Sequence, residues 1–224
     1  MCEPSEKVIA LICAYNEAKY IRKIIEGTLK YIKLVLVIDD CSTDNTSEEV
    51  KKTDALYIKH DVNKGKGCAL KTGFSYFIED KYDAIVTLDG DGQHDPDEIP
   101  ALLEGLKKYD IVIGTRNKFG TSMPLIRIFT NFSCSLIVSI LAFTWIQDSQ
   151  SGYRAIKYEV LKDISLVSGR FNLESELLIR AGRRGYKIGA VPVKTIYGDE
   201  TSKMHPIKDP LRFIGLVFRS LFWW

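Results

Sequence analysis

An α/β chain built on a doubly wound, mostly parallel sheet is what this sequence predicts, and three observations predict it. Short apolar runs alternate with amphipathic stretches for more than a hundred residues. The first run, Val8-Ile9-Ala10-Leu11-Ile12, is continuous, as in a central strand covered on both faces. Three of the runs close in polar clusters, Tyr15/Asn16/Glu17, Asp39/Asp40 and Asp89/Asp91, which such a sheet brings to one edge. Ligands bind at that edge of an open α/β sheet.

In chain order, the strand Lys7–Cys13 leads through Ala14-Tyr15-Asn16-Glu17 into a helix with Ile21, Ile24, Ile25 and Leu29 on one face. Leu34–Ile38 is a second strand, and Thr43 or Asp44 is placed to cap the helix after it. Ala55–Lys59 is a short third strand, and Asn63-Lys64-Gly65-Lys66-Gly67 opens a helix to about Asp80. A fourth strand, Tyr82–Leu88, runs into Asp89-Gly90-Asp91-Gly92-Gln93-His94-Asp95-Pro96. A helix over 97–108 and a strand Asp110–Thr115 follow.

Beyond the loop 117–123, Pro124–Ile146 reads as a long, largely apolar helix. Its uncharged stretch, Phe132–Ile146, falls short of the roughly 20 residues that span a bilayer. Arg127, Asn131, Ser135 and Ser139 form one polar stripe along it, read either as small polar residues tolerated in a buried helix or as a lipid-phosphate-binding stripe. The turn 148–153 enters a strand. A helix from Leu173 to Arg184 is ended by Gly185, and Tyr186–Val193 is a last strand with Pro192 marking an edge or bulge. From Pro206 onward, aromatic and aliphatic residues with Arg212 and Arg219 on one face predict an interfacial helix in preference to one merely docked on the domain.

Composition bounds the function. With 46% hydrophobic and 27% charged residues the 224-residue chain is globular. The net charge of +2 hides an asymmetry: residues 1–110 hold 15 Lys/Arg against 21 Asp/Glu, and residues 111–224 hold 16 against 8. A basic second half suits a membrane surface or a phosphate group. No basic tract interleaved with aromatics points to nucleic acid. Cys2, Cys13, Cys41, Cys68 and Cys134 lack metal-ligand or disulfide spacing and read as buried thiols in a reducing compartment. The polar, acidic start Met1–Glu6 is not a signal peptide, which places the chain on the cytoplasmic side.

Asp89, Asp91 and Gln93 put oxygen ligands at alternate positions of a glycine-rich turn at a strand end. That donor set suits a hard divalent cation, Mg²⁺ or Mn²⁺, bridging to a diphosphate. An EF-hand is excluded by the missing twelfth-position Glu, and a Walker loop by the absence of Ser or Thr after Lys66.

Six stretches in order resemble glycosyltransferase family 2, and within it the synthases that load sugar onto dolichyl or polyprenyl phosphate. They are Ala14–Glu17, Val37–Asp44, Asn63–Gly67, Asp89–His94, Gly114-Thr115-Arg116 and Gln150–Arg154, within residues 7–205. The resemblance implies a GT-A fold, in which residues 1–116 are the Rossmann-like nucleotide half and 117–205 the acceptor half; residues 206–224 are read from their own pattern as an amphipathic membrane-interface helix. It also implies a nucleotide-sugar donor, UDP- or GDP-linked, and inversion at the anomeric carbon. On it, Ala14, Tyr15, Glu17 and Asp39 hold base and ribose, Lys66 and Asp89 stand near the diphosphate, and Lys203 closes over it. Asp89, Asp91 and Gln93 take the metal, with Asp91 catalytic.

A lipid monophosphate is already an oxyanion and needs no general base, only cationic partners and positioning. Arg116, Arg127 and Arg154, with Asn131 and Ser135, are the candidates, Arg116 and Arg127 counting as catalytic. A glycan or protein hydroxyl would instead need a carboxylate base, Asp148 or Glu176. A nucleotide-sugar-binding module without turnover is the reading from another class. The lipid-phosphate reading places the enzyme on the cytoplasmic membrane face.

Overall fold

The computed structural model describes residues 5–80, 82–116, 125–169, 172–194 and 208–223. An interior strand, β1 (Ser5–Ala14), alternates its side chains between two cores: Ile9 and Leu11 enter one, Val8, Ala10 and Ile12 the other. Both faces of the strand are covered, so every position of the run has to be apolar.

The sheet has seven strands in the order β3-β2-β1-β4-β6-β5-β7, with β2 (Ile32–Asp39), β3 (Leu56–Lys59), β4 (Ala84–Asp89), β5 (Ile111–Arg116), β6 (Arg154–Lys157) and β7 (Ile188–Val193). All pairings are parallel except those of β6, which runs antiparallel between β4 and β5. Helices α1 (Ile21–Thr28), α2 (Thr46–Lys51) and α4 (Ile99–Gly105) pack on one face. Helices α3 (Lys66–Asp80), α5 (Leu125–Ala142), α6 (Tyr158–Asp163), α7 (Asn172–Arg183) and α8 (Lys208–Ser220) pack on the other. This is the doubly wound α/β architecture expected. The sheet does not divide at residue 116, because β5 lies between two strands from the second half.

Several local expectations are corrected. The helix expected over 97–108 is a 3-10 turn, Pro96–Glu98, followed by α4, because Pro96 and Pro100 interrupt the amide ladder. The turn's Asp95 carboxylate accepts the Asp97 N–H at 3.0 Å. Helix α5 stops at Ala142 rather than Ile146: Phe143 takes a φ of +54°, and the Ser139 hydroxyl accepts the Ile146 N–H at 2.9 Å as the chain turns back. Helix α6 was not anticipated. The four described cysteines are free but half-buried, not buried.

Other expectations hold. Gly185 ends α7 at φ +79°, donating its N–H to Gly182, while Tyr186 donates to Ala181. Pro192 lies on β7, an edge strand. The cap expected at Thr43 or Asp44 falls instead on Asn45, although Asp44 Oδ1 accepts the Thr46 N–H at 3.0 Å.

Helix α8 both docks and faces outward. Leu216, Ser220 and Trp223 pack inward, and Arg183 of α7 donates to the carbonyls of Leu141, Ser220 and Trp223. One guanidinium thus ties together the C-terminal ends of α5 and α8, where unpaired carbonyls attract a cation. Leu211, Ile214, Phe218 and Phe222 of this C-terminal segment, like Phe129, Phe132, Ile140, Phe143 and Trp145 of the α5 region, point outward. No helix among the described residues is long and apolar enough to cross a membrane.

Candidate active site

The loops after β1 and β2 and the start of α2 are stapled to one another at the C-terminal edge of the sheet. Asn16, held at φ +56°, donates its N–H to Ser42 Oγ at 2.9 Å and accepts the Thr43 N–H at 2.8 Å. The Glu17 N–H donates to Thr46 Oγ1 at 2.8 Å. Tyr15 and Glu17 are half-buried beside this junction, and Ala14 is buried, its carbonyl accepting the Asp40 N–H.

Asp39, expected at the base and ribose, is tied closely into the protein. Its carboxylate is fully buried and takes four protein donors: Ser42 N (2.8 Å), Ser42 Oγ (2.5 Å), Tyr57 OH (2.6 Å) and Ser47 Oγ (3.2 Å). A carboxylate has about four lone-pair positions, and all are used, so no ribose hydroxyl is needed to satisfy it. Burial by itself would raise this carboxyl, but the hydrogen bonds from Ser42, Tyr57 and Ser47 outweigh it and hold the group below its usual range. Asp39 is the anchor of the loop 42–47.

Its neighbour Asp40, read from the sequence only as part of the strand-end cluster, reaches the other way. It accepts the Lys64 N–H at 2.9 Å and the Gly65 N–H at 2.6 Å, and lies 2.7 Å from His60 Nδ1. That pins the turn from which Lys66 projects. The Asp-Asp pair at the end of β2 was the available signal, but which member faces which loop depends on the strand's pleat.

Lys66 meets Asp89 at the heart of the site. Its ammonium is 2.6 Å from Asp89 Oδ1 and 3.3 Å from Glu174 Oε1. Burial would lower the lysine, but the Asp89 and Glu174 charges raise it and prevail. Asp89 is correspondingly lowered against its own burial, chiefly by Lys66. The Asp91 carboxylate turns back to accept the Gln93 N–H at 3.0 Å, and both residues are half-buried. His94 closes the turn from behind: its Nδ1 accepts the Asp89 N–H at 3.1 Å, and its ring stacks on Tyr153 at 4.8 Å. Burial pushes His94 down to about 4, so near neutral pH it is the uncharged acceptor this geometry requires.

Among the described residues, no three acidic, His or Cys side chains gather as a ready-made cation cage. A cation that binds together with a substrate diphosphate needs only one or two protein carboxylates. Asp89 and Asp91, with the Gln93 amide, are a hard-oxygen set of that kind.

The acceptor candidates separate. Arg116, at the end of β5, grips Asp148 through two bonds of 3.0 and 3.1 Å. Arg154 is almost fully buried, and its guanidinium donates to the carbonyls of Ser149, Ser151 and Glu174. It braces the loop 148–153. Ser135 is likewise turned inward, accepting the Ser149 N–H at 3.0 Å. Asn131 is half-buried on α5. The Arg127 side chain and Lys203 lie outside the described residues.

Gly152 lies under the charged cluster. A Cβ there would stand 2.6 Å from Lys66 Nζ and 2.9 Å from Asp89 Oδ2. The Gly152→Ala variant should therefore fold while displacing the ammonium, lowering turnover by about tenfold or more through a small misplacement of charge. Steady-state kinetics beside a thermal melt would check this, and unchanged turnover would contradict it.

The comparisons with known proteins bear on this arrangement. Residues 9–165 match glycosyl transferase family 2. The chain is 36% identical over 221 residues to a UDP-N-acetylglucosamine–dolichyl-phosphate N-acetylglucosaminyltransferase of Methanococcus voltae, covering 86% of this chain and 87% of the relative. It is 31% identical over 201 residues to an undecaprenyl-phosphate mannosyltransferase of Micrococcus luteus, covering 84% and 82%. Among solved structures, glucosyl-3-phosphoglycerate synthase from Mycobacterium tuberculosis, in complex with Mn²⁺, UDP and phosphoglyceric acid, superposes with a TM-score of 0.72. That match is 19% identical and covers 97% of this chain and 78% of the other, a likeness of GT-A-like fold. With its strand-end acids, its glycine-flanked lysine and a match across most of its length, the chain belongs to glycosyl transferase family 2 and is a glycosyltransferase.

Proposed function

We propose that this glycosyltransferase moves a hexose from a UDP- or GDP-sugar to a dolichyl or polyprenyl phosphate, with inversion, at the cytoplasmic face of a membrane. One observation carries the choice of acceptor: neither carboxylate that could serve a hydroxyl acceptor as base stands uncommitted. Asp148 is held by Arg116, and Glu176 is fully buried, accepting the N–H groups of Val167 and Ser168 and the Arg180 guanidinium. A phosphate acceptor arrives already ionised and needs no such base. The names of the relatives from Methanococcus voltae and Micrococcus luteus support the same acceptor class.

In this reading Asp89, Asp91 and Gln93 hold Mg²⁺ or Mn²⁺. When bound, the cation offsets the charge that develops on the departing nucleoside diphosphate. Lys66 adds a second positive charge beside the same phosphates, and Lys203 is proposed to close over them. Tyr15 and Glu17 line the nucleotide side. Arg116, kept in orientation by Asp148, draws in the lipid phosphate with Arg127 and Asn131 and aligns its oxygen with the anomeric carbon.

The outward apolar residues at the ends of α5 and α8 support a membrane-surface location. Phe143 is 81% and Phe222 80% exposed, and burying one such ring in lipid is worth about 1.5–3 kcal/mol. The double variant Phe143→Glu/Phe222→Glu should lose at least tenfold in partitioning onto anionic lipid vesicles in a sedimentation assay. Equal partitioning would argue against this surface.

The function is tested by radiolabel transfer into an organic phase from UDP-glucose, UDP-N-acetylglucosamine and GDP-mannose, with polyprenyl phosphate, detergent and Mg²⁺ or Mn²⁺. Label in the lipid phase from one donor is expected. Metal-dependent donor binding without any lipid product would sink the lipid acceptor and favour a hydroxyl.

A further inference from the structure

Glu174 has been given no chemical role so far, yet its carboxylate is one of two that share the Lys66 ammonium. It sits in the first turn of α7, with its side chain only 13% exposed. Its backbone is held in place, since the buried Arg154 guanidinium donates to the Glu174 carbonyl at 3.0 Å. The space beneath is kept open by Gly152, whose added Cβ would lie 3.1 Å from Glu174 Oε1. Gly152 is itself fixed by the Thr87 hydroxyl, which donates to its carbonyl at 2.7 Å. Three chain segments thus converge to place a second anion beside one lysine.

That arrangement matters because Asp89 is asked to do two things. It pairs with Lys66 at 2.6 Å, and on the functional reading above, on which this inference rests, it also takes a divalent cation. An ammonium and a divalent cation repel one another at a shared carboxylate, so one must give way. We infer that Glu174 is a positioning residue that gives Lys66 an alternative anionic seat, so that Asp89 can pass to the metal while the lysine stays charged and beside the diphosphate. The present 3.3 Å contact to Glu174 needs to shorten by only about half an ångström to reach the usual length of a charge-assisted hydrogen bond. An acid in a first helical turn also favours the helix dipole. That role alone would alter stability and leave metal affinity untouched.

The test is a double-mutant cycle read by electron paramagnetic resonance of Mn²⁺ added without nucleotide to wild type, E174Q, K66M and K66M/E174Q, each checked by thermal melting. Among the described residues E174Q leaves Lys66 only Asp89 as an ion-pair partner, so Mn²⁺ binding should weaken roughly tenfold, within the range of coupling between contacting charges. K66M should bind Mn²⁺ more tightly than wild type, and K66M/E174Q should match K66M within about twofold. An equal loss from E174Q in both backgrounds would show Glu174 acting on the cation by its own charge and overturn the inference. So would unchanged Mn²⁺ affinity in E174Q, including the case where only sugar-nucleotide binding weakens, which would make Glu174 a sugar ligand. If wild type takes up no Mn²⁺, with or without UDP, the metal reading falls and this inference with it. Wild-type binding that E174Q leaves unaltered overturns this inference alone.

Discussion

Replacing Asp91 by Ala should reduce sugar transfer by at least about a thousandfold while the protein stays folded. Within the protein the Asp91 carboxylate is recorded accepting the Gln93 N–H on a half-buried turn. Losing one such bond costs about 0.5–1.5 kcal/mol, which a domain with two continuous cores tolerates. Losing a group that supports charge in the transition state costs about a hundred- to a thousandfold on its own, and a displaced cation adds to that. Label transfer measured beside a thermal melt separates the two effects. Transfer within tenfold of wild type, with the melt unchanged, would remove Asp91 from the catalytic set.

Asp39→Ala should do the opposite, acting first on stability. Four donors converge on a carboxylate with no exposed surface. Removing the acceptor leaves the Ser42, Ser47 and Tyr57 donors and the nearby Lys59 ammonium, 3.9 Å away, without it. The expected loss is about 3–5 kcal/mol, visible in urea unfolding at neutral pH. The pH dependence has a definite sign. The folded carboxyl lies below its unfolded value, so its contribution is complete above about pH 4, the unfolded value, and is lost as pH falls through the lower folded value. The Asp39→Asn variant should therefore show a shallower loss of stability on acidification than wild type. Parallel acid limbs for the two proteins would show that Asp39 is not the titrating anchor.

These two aspartates mark how far the sequence could be read. Asp39 closes β2 and Asp91 lies in the turn just after β4, and both are flanked by turn residues. The Asp91 expectation rested on alternate oxygen ligands within five residues, a local pattern. The resemblance placed Asp39 at the base and ribose, and no local pattern shows that its donors within the protein come from loops and strands up to 18 residues away. Arg154 and Ser135, expected at the acceptor phosphate, likewise take partners that the local pattern does not show: both bond to the loop 148–153. Glu174 gave no local sign of importance, since nothing near it in the chain announces its approach to Lys66.

The sequence by itself determined the strands and most of the helices, the doubly wound class, the edge at which polar loops collect, and the oxygen-rich turn at Asp89–Gln93. All of these follow from periodicities and turn chemistry that act over a few residues. Only the tertiary structure decided that β6 runs antiparallel between β4 and β5, that Arg116 pairs with Asp148, and that Lys66 is shared by Asp89 and Glu174. Those outcomes depend on which segments the closing of the sheet brings together. A charged side chain's role is then set by whichever partner lies within hydrogen-bonding distance, however distant that partner is along the chain.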